Sequence, residues 1–230
     1  MSTAALDHKA PGADAAPASG AIAGAALAGA LSSAAFVAGF VFFPSQSFRE
    51  GVLTPYSIVN NVVTTLAFAC LAMAVPTLRR VLNVPSWALY LSSAAFAAVA
   101  AMSWSLATLA PDMAKFVSDS EFDEFTVYLI LFPLPKMILG LVGFTALGVS
   151  GWRRRAIPRG AAALLILAGV ASLWWAYPPG ALLAALAFAW IVKTVEAGSK
   201  EIRDLGGQPP SGIPYSPGFV ESTAHLGSSA

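Results

Sequence analysis

Apolar runs long enough to cross a lipid bilayer recur along this chain, at about 20–43, 56–75, 87–109, 125–151, 157–177 and 180–195. A helix rises 1.5 Å per residue, so roughly 20 residues cross a hydrocarbon core of ~30 Å. The core offers the backbone no water to bond, and only helices or closed barrels satisfy their own amides there. The pattern predicts an all-α fold, a polytopic transmembrane bundle of about six helices over residues 20–195. Residues 1–19 and 196–230, rich in Ala, Pro and Gly without apolar periodicity, read as disordered tails. Composition agrees: 57% of residues are hydrophobic and 11% charged, against ~25% charged in a soluble domain.

The first run is longer than the apolar core of a secretory signal and reads as a retained helix. The fifth and sixth are the shortest, joined by Pro178-Pro179-Gly180, which reads as a tight turn. A re-entrant hairpin is the alternative there. Ten of the 13 basic residues then fall on one side: Lys9, Arg79, Arg80, Arg153, Arg154, Arg155, Arg159, Lys193, Lys200 and Arg203. Because cytoplasmic loops retain Lys and Arg, this asymmetry predicts a multi-pass protein of the plasma (inner) membrane with both termini in the cytoplasm.

Several function classes lose their footing on residue counts. His8 and His225, the only histidines, lie in the tails, and Cys70 is the only cysteine. Intramembrane haem, His-ligated zinc and a Ser-His-Asp triad are therefore not expected, nor any other cofactor or metal. The net charge of +1 and the lack of a basic, aromatic-interleaved patch argue against nucleic acid. With no paired carboxylates in the apolar runs, an enzyme is not expected either.

Lys136 is the residue that asks for an explanation. A lysine near mid-helix costs ~2.5–3.5 kcal/mol on insertion scales, and intramembrane ionisable groups commonly line solute or ion paths. Pro133 and Pro135 precede it and would leave the carbonyls of Leu129 and Leu131 without helical donors, as in broken transporter helices. The competing account is that the lysine stem snorkels to the outer interface. Asn60 and Asn61, with Thr64 and Thr65, form a polar cluster in the second run that reads as interhelical packing or as part of the same solute path. The segment holding Asp112, Asp119, Glu121, Asp123 and Glu124 lacks an EF-hand pattern, and Ser118 three residues before Glu121 reads as a capping box.

The candidate solute-facing residues are thus Lys136, Pro133, Pro135, Asn60 and Asn61. The function they suggest is a small permease-like or transport component for a polar or anionic solute. The alternative is a non-catalytic accessory or scaffold subunit whose basic loops meet anionic lipid heads. Partners would be the lipid bilayer and either other membrane subunits or a second copy of the chain. The orientation predicts that, in a Cys70→Ala background, Arg154→Cys is silent to an impermeant maleimide until sealed cells are permeabilised, whereas Ser118→Cys reacts at once. External labelling at position 154 would reverse the topology.

Overall fold

Proline marks where most of these helices begin. A computed structural model describes residues 16–42, 48–118, 120–122, 124, 133–173 and 178–204. The helices are α1 (Ala16–Phe42), α2 (Phe48–Leu53), α3 (Pro55–Ala74), α4 (Ser86–Ala107), α5 (Leu109–Phe116), α6 (Pro133–Arg153), α7 (Arg159–Ala171) and α8 (Pro178–Asp204). A 3₁₀ helix, Val75–Arg80, extends α3, and no strand occurs among the described residues. Pro55 opens α3 behind Thr54, whose hydroxyl accepts from the Ser57 N–H at 3.1 Å. Pro76, at the first turn of the 3₁₀ helix, and Pro111, third in α5, let the chain continue helically where the sequence suggests a stop. Pro178 and Pro179 likewise form the first turn of α8, correcting the expected turn outside the helix. The reason is common to all: first-turn N–H groups have no intrahelical acceptor, so a residue lacking one costs nothing there.

Pro133 and Pro135 are first and third in α6. Residues 125–132, with the Leu129 and Leu131 carbonyls, lie outside the described residues, as do 1–15 and 205–230. The last helix passes the expected end at 195 and reaches Asp204. The chain divides into a unit of residues 1–196 and one of 197–230; the described part of the second is helical.

Five stretches are long and apolar enough to cross a membrane: Gly20–Gly39, Pro55–Arg80, Ser86–Phe116, Leu134–Arg153 and Pro179–Gly198. The fifth apolar run yields the shorter α7, whose 13 residues cover about 20 Å. Neighbouring pairs are α1 with α3, α3 with α4, α4 with α6, and α6 with α7.

Four phenylalanines knit these helices together. The Phe96 ring on α4 lies 5.5 Å from Phe68 of α3, 5.1 Å from Phe144 of α6 and 5.3 Å from Phe188 of α8. None is more than 2% exposed, and the tilted and edge-on pairings suit ring quadrupoles. Around them the backbones approach closely. A Cβ on Gly143 would sit 2.7 Å from the Ser92 amide nitrogen of α4, and one on Gly148 2.8 Å from the Ala162 carbonyl of α7. Lipid tails are as apolar as leucine, so such small-residue contact is what holds helices together in a bilayer.

Helical hydroxyls are mostly satisfied within their own turn, as Ser92 to Ala88, Ser103 to Val99 and Thr64 to Asn60. Others reach across: Ser93 donates to the Ala72 carbonyl at 2.5 Å and Tyr56 to the Ala35 carbonyl at 2.6 Å. We expect Phe96→Ala to lower stability in detergent by about 3–5 kcal/mol, the range for a buried aromatic. Leu167→Ala, on a side chain 55% exposed, should change it little; equal losses in denaturant titrations would remove the aromatic cluster from its central place.

Candidate functional site around Lys136

The first two turns of α6 carry Lys136 inward. Its side chain is 5% exposed, although it sits only three residues beyond the start of α6. It lines a small cavity with Ala95 and Val99 of α4, Phe144 of α6, Ser172 at the end of α7, and Gly180 and Ala181 in the first turn of α8. Lys136 is thus buried within the protein. The cavity volume is about 10 Å³, at the lower limit for one water molecule.

Why these walls meet follows from the α6–α7 register. A Cβ on Gly140 would fall 2.6 Å from the Ser172 hydroxyl, and one on Gly180 2.7 Å from that same oxygen. The short α7 therefore ends at the level of Gly140, one turn from Lys136, and α8 begins beside it. Pro178 and Pro179 have no N–H, so Gly180 carries the first-turn donor of α8 that lacks an intrahelical acceptor, at the positive end of the helix dipole. An ammonium and a helix N-terminus thus border one cavity, an arrangement that favours negative charge or a strong hydrogen-bond acceptor.

Asn60 and Asn61 are not among the walls of that cavity. They are 9% and 1% exposed in α3. Asn61 donates to the Ser57 carbonyl at 2.9 Å, and Thr65 to the Asn61 carbonyl at 2.8 Å. Thr65 also reaches the Ala100 carbonyl of α4 at 3.4 Å. Three buried oxygens, Asn61 Oδ1, Ser33 Oγ of α1 and Thr145 Oγ1 of α6, have no hydrogen-bond partner among the described residues. The cluster mainly ties α3 to itself and to α4. Pro135 is exposed at the start of α6, and the side chain of Pro133 lies outside the described residues.

The acidic segment is held from both sides. Ser118 N–H and Oγ–H donate to Glu121 Oε2 at 2.9 and 2.7 Å, while the Glu121 N–H returns to Ser118 Oγ at 3.4 Å. This reciprocal pair is a capping box. Beneath it Phe122 is buried, 6.1 Å from the Phe48 ring and under the Arg49 guanidinium at 5.7 Å. Arg49 donates to the Ala114 carbonyl at 3.0 and 2.6 Å and to the Val117 carbonyl at 3.0 Å, closing the end of α5. Among the described residues no three His, Cys, Asp or Glu side chains gather as a metal site requires.

No family model, curated protein or solved structure matches the chain. Of the residues that form the site, Ser172, Gly180 and Ala181 escape sequence reasoning. Only the serine, a polar residue in an apolar run, and the two prolines opening α8 hint at them.

The bonds from Ser118 hold the Glu121 carboxyl below its ordinary value of 4.5. A group whose folded pKa is depressed adds stability above the unfolded value and loses it as pH falls through the folded one. Glu121→Gln should therefore be less stable than the parent at pH 7, with the difference closing below about pH 4. Melting curves across that range that run parallel would exclude the carboxylate as the cause.

Proposed function

We propose that the protein is a small, permease-like membrane transport component that contacts a polar or anionic solute through Lys136, without enzymatic activity. The observation that carries this reading is the burial of Lys136 between α4, α6 and the α7–α8 junction, facing the N-terminal turn of α8. A bilayer-embedded ammonium is costly and generally retained for a task. Close packing here leaves space for a single water, so a solute would enter only after the walls of the cavity move apart. This is a closed arrangement.

The closure is also the observation that favours a second reading, a non-catalytic accessory or scaffold subunit. In that case Lys136 would be an interior structural group, and Asn60 and Asn61 packing elements. For either reading we infer the orientation with basic loops and both termini in the cytoplasm, at the plasma (inner) membrane. It is supported by the Arg154 to Asn83 contact at 3.5 Å, which joins the two arginine-bearing turns at one end of the bundle.

Substitution of Lys136 separates the readings. A screen of small anions by thermal shift on the purified chain should find one that raises the melting temperature, because binding at 100 times Kd adds about 2.7 kcal/mol to the folded state. Lys136→Leu should abolish that gain, and solute flux in proteoliposomes, while the protein still folds. If Lys136→Leu is instead neutral or stabilising by about 1–3 kcal/mol and no anion distinguishes it from the parent, the scaffold reading replaces transport.

A further inference from the structure

The end of α6 opposite to Lys136 holds a second site of different character. Helix α6 closes with Arg155 at φ 53°. The Arg155 N–H bonds the Trp152 carbonyl at 3.2 Å and the Ala156 N–H the Gly151 carbonyl at 3.0 Å. These two bonds make a Schellman turn in which Arg155 occupies the left-handed position that glycine normally fills. An arginine there strains the backbone and needs a reason.

A cleft beside this turn supplies one. A cavity of about 470 Å³ is bordered by Trp152, Arg153, Arg155, Ile157, Pro158 and Arg159. Three arginines thus border one concavity, and Arg159 opens α7, whose cap Pro158 offers its first-turn N–H groups no side-chain acceptor. No carboxylate is at hand to balance them: the sequence holds no Asp or Glu from 51 to 111 or from 125 to 195. Among the described residues Arg153, Arg155 and Arg159 make no ion pair. The floor, Ile157, is 6% exposed, and the Trp152 indole is 47% exposed at the end of a membrane-crossing helix.

We propose that this cleft binds the phosphate of an anionic phospholipid. Guanidinium forks take phosphate oxygens bidentately. A lipid is the source because the cleft sits where headgroups meet the hydrocarbon edge, beside an indole suited to that boundary. A lipid carrying two phosphates matches three arginines better than one carrying a single charge. The site is independent of Lys136, about 25 Å away along α6.

The test uses the full chain in phosphatidylcholine nanodiscs, with and without cardiolipin or phosphatidylglycerol, read by melting temperature and lipid retention. Anionic lipid should stabilise the parent, cardiolipin more. Arg153→Gln with Arg155→Gln and Arg159→Gln should weaken retention by roughly 100-fold, at about fivefold for each charge lost. The matched control, Arg79→Gln with Arg80→Gln and Arg154→Gln, removes as many charges outside the cleft and should weaken it at least tenfold less. Equal weakening by both sets would mean diffuse attraction and overturn the site. Arg155→Gly provides a crossing readout: it should melt higher than the parent in pure phosphatidylcholine and gain less from cardiolipin. The same gain in both lipids would overturn the role of Arg155. A shift from soluble glycerol phosphate equal to that from lipid would overturn the lipid as its source.

Discussion

Everything in the bundle is arranged around the Phe96 ring. In water a core assembles because apolar surface leaves solvent, but between helices already in lipid that drive is absent and shape must decide. Phe96 meets rings from α3, α6 and α8 directly. Through Phe68 the cluster also reaches α1, where a Cβ on Gly29 would lie 3.2 Å from the Phe68 ring. All five of the long apolar helices therefore refer their position to one aromatic assembly. The remaining contacts, Ala and Gly against backbone, follow once that assembly has set distances and rotations.

The type of fold is plain in the sequence because apolar length is a strong signal and lipid allows few alternatives. Helix ends are harder. Pro76, Pro111 and Pro178 look like stops when each is taken alone, yet each stands in a first turn, where its missing N–H is harmless. Lys136 declares itself because a charge in an apolar run is conspicuous. Its surroundings do not: Ala95, Val99, Ser172, Gly180 and Ala181 are ordinary membrane residues brought to it by three other helices. Asn60 and Asn61 show the opposite failure, being conspicuous in sequence and absent from those walls. Arg155 is legible as charge, but its left-handed backbone is a property of the turn and not of the run Arg153-Arg154-Arg155.

Polar groups sort themselves by depth and duty. Most serine and threonine hydroxyls inside the helices return their protons to carbonyls one turn back, as Ser92, Ser103 and Thr64 do, which hides them from lipid and asks nothing of a neighbour. At one end of the bundle Arg49 closes carbonyls at the end of α5, and its charge is absorbed by the fold. Among the described residues Arg153, Arg155 and Arg159 make no comparable ion pair or side-chain hydrogen bond, while Arg154 reaches only the Asn83 amide oxygen. The same residue type thus stabilises one end and leaves the other open to whatever lies beyond the chain.

The glycines of α6 impose a mechanical asymmetry. At Gly143 its backbone rests on α4, and at Gly148 on α7, with no side chain between to act as a bearing. Three helices clamped at this range must translate together, since sliding would drive carbonyls into amides. Helix α8 meets Phe96 through a ring edge and covers Gly160 with the Trp190 indole, and rings can pivot where bare backbones cannot. The first turn of α8 is held as closely, since a Cβ on Gly180 would lie 2.9 Å from the Ser172 amide nitrogen and 3.0 Å from the Ala168 carbonyl, so any breathing of the molecule would pass through the later turns of α8, with α4, α6, α7 and that first turn as the fixed frame.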